Sequence, residues 1–286
     1  MKKTCVISLV IVMLMSGVNI SYGAPQAIQY AETDQELIDA ERRLDSIILK
    51  MQDEHLKNYK DFQEDASVEV TVGLIKEKGY PINKEFLALS YKIESYKKKN
   101  PHDDLKKVVK HFNQQAGLKD KAADKKLSIQ FTQIAHALSY GEWTVLTTAE
   151  KLLIAANPSK ALMTNSIKQV AFNYTAQKFG YNGLGDSSDG YRHGMWSALM
   201  TRDISRAWAE AYGNAHEDRP TTELQARQAD GYTGYQHKAM DLANNKVGRD
   251  AIKWYEYYFN CWDSTVKSRI SAKLTNTAGN IVWLHN

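Results

Sequence analysis

The chain has 286 residues, 43% of them apolar and 24% charged, and its formal charge of +4 falls to +2 once Lys2 and Lys3 leave with the leader described below. So even a balance gives no electrostatic footing for nucleic acid, and no nucleic-acid partner is expected. The two cysteines are Cys5 and Cys261, so a chain cut after residue 23 has no intramolecular disulfide and depends on a packed core.

In chain order, Met1-Lys2-Lys3-Thr4 and the apolar run Cys5 to Ile20 read as the basic and hydrophobic regions of a secretory signal. Ser21 and Gly23 supply small residues for cleavage after Gly23, and the apolar run is short for a membrane span. A secreted or extracytoplasmic protein follows, not an integral membrane protein after cleavage.

Scarce proline (5) and modest glycine (16) suit long helices joined by short turns, an all-α fold. Thr33-x-x-Glu36 begins a long amphipathic helix carried to Asp65 by Leu37, Ile38, Leu44, Ile47, Ile48 and Met51. Ser67 to Leu74 alternates Val68, Val70 and Val72 like a strand, but helix is favoured because a lone strand has nothing to pair with. Helices are expected over Lys84–Lys99, ended by Asn100-Pro101, and over Asp103–Gln115, ended by Gly117. The lysine-rich stretch Lys119–Lys126 reads as a solvated face or linker. From Leu127 the tryptophan, alanine and aromatic content rises, so a boundary falls there between an N-terminal helical region, 24–126, and a C-terminal helical domain, 127–286. Thr147 starts one helix, and Asn157-Pro158 starts another that runs to Phe179 and stops at Gly180.

The polar chemistry gathers between Asp186 and Arg249. After a glycine-rich loop, Asp186 to Asp189 can cap a helix on which Asp189, His193, Trp196 and Met200 share one face. An acid one turn before a histidine can fix its ring and tautomer for a metal or for base catalysis. Ile204 to His216 forms a second helix, dense in alanine, with Trp208, Tyr212 and His216 as a stripe and Glu217 after it. Asp218 to Gln236 reads as a surface loop. Beyond it Asp241, Asn244, Asn245 and Gly248 line one side of a third helix. Adjacent asparagines are poor helix formers, a local conflict that marks a site or a buried hydrogen-bond network, and Gly248 permits close approach. His193, Asp189, His216 and Glu217 are the candidate catalytic groups. Arg192, Asn244 and Asn245 are candidate substrate contacts. His193, His216, Glu217 and Asp241 form a candidate nitrogen/oxygen shell for one divalent metal ion. The same residues suit a metal-free acid–base centre, and the sequence leaves both open. Arg192 and Arg249 are expected to pair internally with acids, and the run Trp254–Phe259 to pack the last long helix around a buried Cys261.

Asp189-Gly190-Tyr191-Arg192-His193-Gly194-Met195-Trp196, then Ala215-His216-Glu217, then Met240-Asp241-Leu242-Ala243-Asn244-Asn245-Lys246-Val247-Gly248-Arg249 together resemble a bacterial domain of unknown function, number 6973, over about residues 146–252. That family's pattern implies D-A-F-R-H-A-x-W, A-H-E and M-D-L-H-N-N. Gly190 and Tyr191 depart from it mildly. Ala243 replaces a histidine, for which His237 is the nearby substitute. The resemblance implies a site but no activity. The Arg192-His193 pair is also similar to bacterial phospholipase A2 proteins, but Gly194 stands where those place an aspartate for calcium, which sets that match aside.

Two function classes follow. One is an exported His/Asp-based or metal-assisted hydrolase of an ester or phosphoester bond, its substrate a small molecule or a cell-envelope component. The other is a non-catalytic helical binding module, or a secreted toxin-like domain with a lapsed site. Convergence of His193, His216 and Asp241 on an open pocket favours the first.

Overall fold

Capping side chains set where the helices begin. The computed structural model describes residues 66–120, 141–253 and 261–286, together with 30–31, 35–36, 38–40, 42–43 and 256. The leader at 1–23, the boundary near Leu127 and most of the runs Thr33–Asp65 and Trp254–Phe259 lie outside the described residues, although those described between Gln35 and Arg43 are helical.

The N-terminal helices are α1 (Val68–Glu77), α2 (Lys84–Lys99) and α3 (Leu105–Gln115), capped by the side chains of Ser67, Asn83 and Asp104. The valine-rich stretch after Ser67 is therefore helical. The third helix starts two residues later than expected, because Asp104 is its cap. A short α4 (Gly141–Thr144) precedes α5 (Thr148–Ala156), which opens with a full capping box between Thr147 and Glu150. Then come α6 (Pro158–Phe179), ended by left-handed Gly180, and α7 (Ser187–Asp203), capped by Asp186. Ser205 caps α8 (Arg206–His216), which moves its start beyond Ile204. The stretch expected to be loop, 218–236, contains α9 (Thr221–Gln225) and the first turn of α10 (Gly234–Asp250), which has a capping box of Thr233 with Gln236. The chain closes with α11 (Asp263–Ala272). The fold is all-α; the described β pairing is two parallel residues each of β1 (Tyr30–Ala31) and β2 (Lys119–Asp120), plus two isolated bridges. No helix of the described residues is long and apolar enough to cross a membrane.

Helix α6 runs through the core. It packs against α1 and α2 and against α5 and α7. Nearly every residue from Pro158 to Ile167 is buried, so this half shows no amphipathic stripe. Its Lys160 stays in the core with its ammonium 5.9 Å from the Trp208 ring, and Lys151 of α5 lies similarly over Trp143.

The closest helix pair is α7 with α10. A Cβ on Gly248 would stand 2.2 Å from the Gly194 carbonyl oxygen and 3.0 Å from Ala198 N, so glycine there lets the two backbones touch. The expected close approach at Gly248 is thus backbone to backbone. It brings the buried faces of α7 and α10, with His193 and Asp241, into apposition.

Candidate functional site

On α7, Asp189, His193, Trp196 and Met200 are all buried, as their shared helical face requires. On α10, Asp241, Asn244, Asn245 and Gly248 are buried while Ala243 is exposed. His193 Nε2 lies between two carboxylates, 3.5 Å from Asp189 Oδ1 and 3.4 Å from Asp241 Oδ1. The three side chains can each offer a ligand atom within 4.8 Å of the others, which makes them the cluster of metal-ligating type among the described residues. Asp189 is held from behind: Gly185 N donates to its Oδ2 at 2.7 Å and Arg192 pairs with its Oδ1. Arg192 also donates to the Gly183 carbonyl (3.1 Å) and lies over the Phe172 ring, so its pairing is internal, as expected. Arg249 also has an acid nearby, with Nε 3.7 Å from Glu210 Oε2.

The second imidazole arrives from α8. His216 stands 6.3 Å from His193 and 5.3 Å from Trp196, ring centre to ring centre, and Tyr212 closes the aromatic wall beside Trp196. Its Nδ1 donates to Glu150 Oε1 at 2.8 Å. Glu150 belongs to α5, where its other oxygen accepts from Thr147 N (2.8 Å) in the capping box, while the Thr147 hydroxyl donates to the Ala215 carbonyl (2.6 Å). One capping box therefore fixes both the start of α5 and the orientation of a histidine on another helix.

These surroundings drive the two imidazoles apart. Burial, helped by the charges of Arg192 and His216, pushes His193 down to about 3 against the pull of Asp189, so the ring is neutral at physiological pH. Burial also opposes a charge on His216, but Glu150, by charge and hydrogen bond, and then Glu217 raise it above the ordinary histidine range. Burial raises Glu217 as well. Asp241 is pushed well up, by burial first and then by the charges of Glu217 and Asp189.

Asp189, Arg192, His193, His216, Glu217 and Asp241 all line one cleft of about 1450 Å³. The predicted site residues from three helices thus converge. The two asparagines do not line it. Asn244 spends its amide on the C-terminal segment, donating to Val282 O (2.9 Å) and accepting from Val282 N (2.8 Å). Asn245 is fully buried beside Gly213 and against the His193 ring. His216 and Glu217 face the same space as His193 but stand outside its three-residue cluster.

His237, the expected substitute for the histidine absent at 243, also lines the cleft, but its Nε2 lies 3.1 Å from Asp230. Asp230 further meets His285, at 3.3 Å. A residue at 243 points away from Asp241, so alanine there does not thin the cluster. Sequence reasoning missed Glu150, Lys168, Arg219 and Asp230. Glu150 carried a visible signal, the capping box, but that reports a helix start and nothing about a partner 66 residues away.

Residues 151–278 match the model of a domain of unknown function, DUF6973. Over this stretch the chain is similar to that family. The match begins five residues later than the resemblance read from the sequence and extends past it to take in α11. The matched segment holds Asp189, His193, His216, Glu217 and Asp241, while Glu150 lies one residue before it. No curated protein and no solved structure matches the chain.

Proposed function

We propose that the protein is an exported hydrolase of ester or phosphoester bonds, working in the cleft between α5, α7, α8 and α10. The observation that carries this reading is the meeting of two differently held imidazoles on one open cleft: His193 between Asp189 and Asp241, and His216 anchored by Glu150. Hydrolysis needs a group that activates water and a group that protonates the departing oxygen, both within reach of one bond. The His193 cluster takes the first role, and His216 takes the second, since Glu150 fixes its Nδ1 and leaves Nε2 for the leaving group. Arg192, Lys168 and Arg219 line the same space and suit an anionic group such as a phosphoester. A cleft of this size accepts a small substrate or part of a cell-envelope component. The basic and apolar N-terminus, with cleavage after Gly23, supports export.

The test is a panel of activated esters, phosphomonoesters and phosphodiesters, and phospholipid vesicles, assayed with the mature protein. Turnover of at least one class is expected, with His193→Ala lowering kcat roughly 100-fold or more. Absence of turnover across the panel, in the presence of divalent cations, would leave the chain a non-catalytic binding module.

A further inference from the structure

The spacing inside the His193 cluster is informative because it is too long for hydrogen bonding and well suited to something else. Neither carboxylate oxygen forms a hydrogen bond with His193 Nε2, although they stand only 3.5 and 3.4 Å away. Ligand atoms about 2.1 Å from one tetrahedral ion lie about 3.4 Å from each other. The three side chains already hold that separation on two of their three edges. Asp241 is 7% exposed, and its Oδ1, the oxygen turned toward His193, accepts no hydrogen bond. A buried carboxylate oxygen left in that condition is costly unless a cation meets it.

Charge across the cleft points the same way. Among the described residues six Asp and Glu line it against three Lys and Arg, and Asp189, Asp241, Glu217 and Glu150 are themselves buried. Arg192 is already engaged by Asp189, which leaves Asp241 Oδ1 without a hydrogen-bond donor. The outer contacts on Asp189, from Gly185 N and Arg192, are of the kind that orient ligands.

We propose that Asp189, His193 and Asp241 bind one divalent transition-metal ion, with His193 Nε2 and one oxygen of each aspartate as the protein ligands. One imidazole with two carboxylates is a nitrogen/oxygen set suited to zinc or manganese, and three protein ligands leave a coordination position open to water or substrate. His216 and Glu217, which the sequence also offered as ligands, lie outside the set. Such an ion supplies Lewis acidity and a water of lowered pKa. That catalytic use rests on the hydrolase reading above, whereas the binding itself does not.

The full mature chain is stripped with chelator, dialysed against Zn²⁺ or Mn²⁺, and its metal content is measured beside its thermal midpoint. One ion per chain and a raised midpoint are expected. Asp241→Asn and Asp189→Asn should lose both responses while His216→Ala and Glu217→Gln keep them. X-ray absorption of the loaded parent, which depends on no variant folding, should report a shell of nitrogen and oxygen with a single imidazole. A parent that takes up neither ion overturns the proposal, as does equal loss of metal in His216→Ala. Hydrolysis that persists in the stripped protein would end the ion's catalytic role and leave the hydrolase reading standing.

Discussion

Glu150 and His216 are 66 residues apart in the chain and 2.8 Å apart in the fold. Glu150 does two jobs, one for α5 and one for the imidazole, and substitutions can separate them. Glutamine at the third helical position still completes a capping box, so Glu150→Gln keeps the helix start and removes the charge that raises His216. The shift of His216 above its unfolded value gives stability that is fully present below about pH 6.5 and is lost as pH rises through the folded value. The groups that act on it are Glu150, Glu217 and Arg219, with His193 alongside. Glu150→Gln should therefore destabilise by about 1–3 kcal/mol at pH 5–6 and by less at pH 9, measured by urea titration at each pH. A pH-independent difference would show that the charge on Glu150 contributes nothing through His216. Glu150→Ala should cost about 1 kcal/mol more at every pH, through the lost cap.

Gly248 and Gly73 are both helical glycines with opposite expectations. At Gly248 an added methyl meets the backbone of Gly194, which cannot move aside as a side chain can. Gly248→Ala should force α7 from α10 at a cost of about 1–3 kcal/mol or more, and should reduce any activity or metal binding that needs His193 opposite Asp241. At Gly73, exposed within α1, nothing lies within 4 Å of the added methyl. Gly73→Ala should stabilise by about 0.5–1 kcal/mol. Thermal melts of the two variants check both signs. A neutral Gly248→Ala would mean that the helix contact is more pliant than its geometry implies.

The legible part of this protein is what local chemistry controls. Helix starts at Ser67, Thr147 and Asp186 follow from side chains that accept backbone N–H groups two or three residues later, whereas the same chemistry at Thr233 was hidden in a polar stretch that read as loop. The site face of α7 and the buried side of α10 follow from helical spacing, which is why His193, Asp189 and Asp241 were nameable from the sequence. Partners were not. Whether Asp189 orients His193 or shares a ligand set with it depends on the distance between α7 and α10, and that distance is set by Gly248 against Gly194. Asn244 and Asn245 share the buried face with Asp241, yet one is claimed by the backbone of Val282 and the other lies beneath His193. Adjacent asparagines in a helix marked one buried backbone clamp, at Asn244, as much as a site.

Asn244 makes a reciprocal pair of hydrogen bonds with one residue, Val282, whose neighbour Ile281 is fully buried against α7 near Gly194. This amide pins the C-terminal segment to the helices that carry the site. Asn244→Ala should strand both polar groups of Val282 and cost about 2–4 kcal/mol. Hydrogen exchange should quicken selectively after Leu274, with α5 and α6 unaffected. Asn244→Asp keeps the acceptor for Val282 N but not the donor, so it should fall between the parent and alanine. Uniform loosening of the whole chain would contradict the pinning role.

Asp203 is a heavily bonded acid outside the cleft. Its side chain is 2% exposed and accepts from Arg202, from Lys78 at 3.1 Å and from the Tyr80 hydroxyl at 2.9 Å. Arg202 reaches on to Asp263 and to the Cys261 carbonyl, so one network ties the end of α1 to α7 and to the start of α11. Burial alone would raise the Asp203 carboxyl, yet Arg202 and Lys78 hold it below its ordinary range. A depressed folded value means stability that is present above about pH 4 and is lost as pH falls through the folded value. Asp203→Asn leaves Arg202 buried with one of its two carboxylate partners, and should cost about 3–5 kcal/mol at pH 7. The parent should lose that advantage as pH falls below about 4 and through the folded value, so that parent and variant converge in acid. Denaturant midpoints followed downward from about pH 7 decide it, and a gap that stays constant as pH falls would show that the network acts through packing and not through charge.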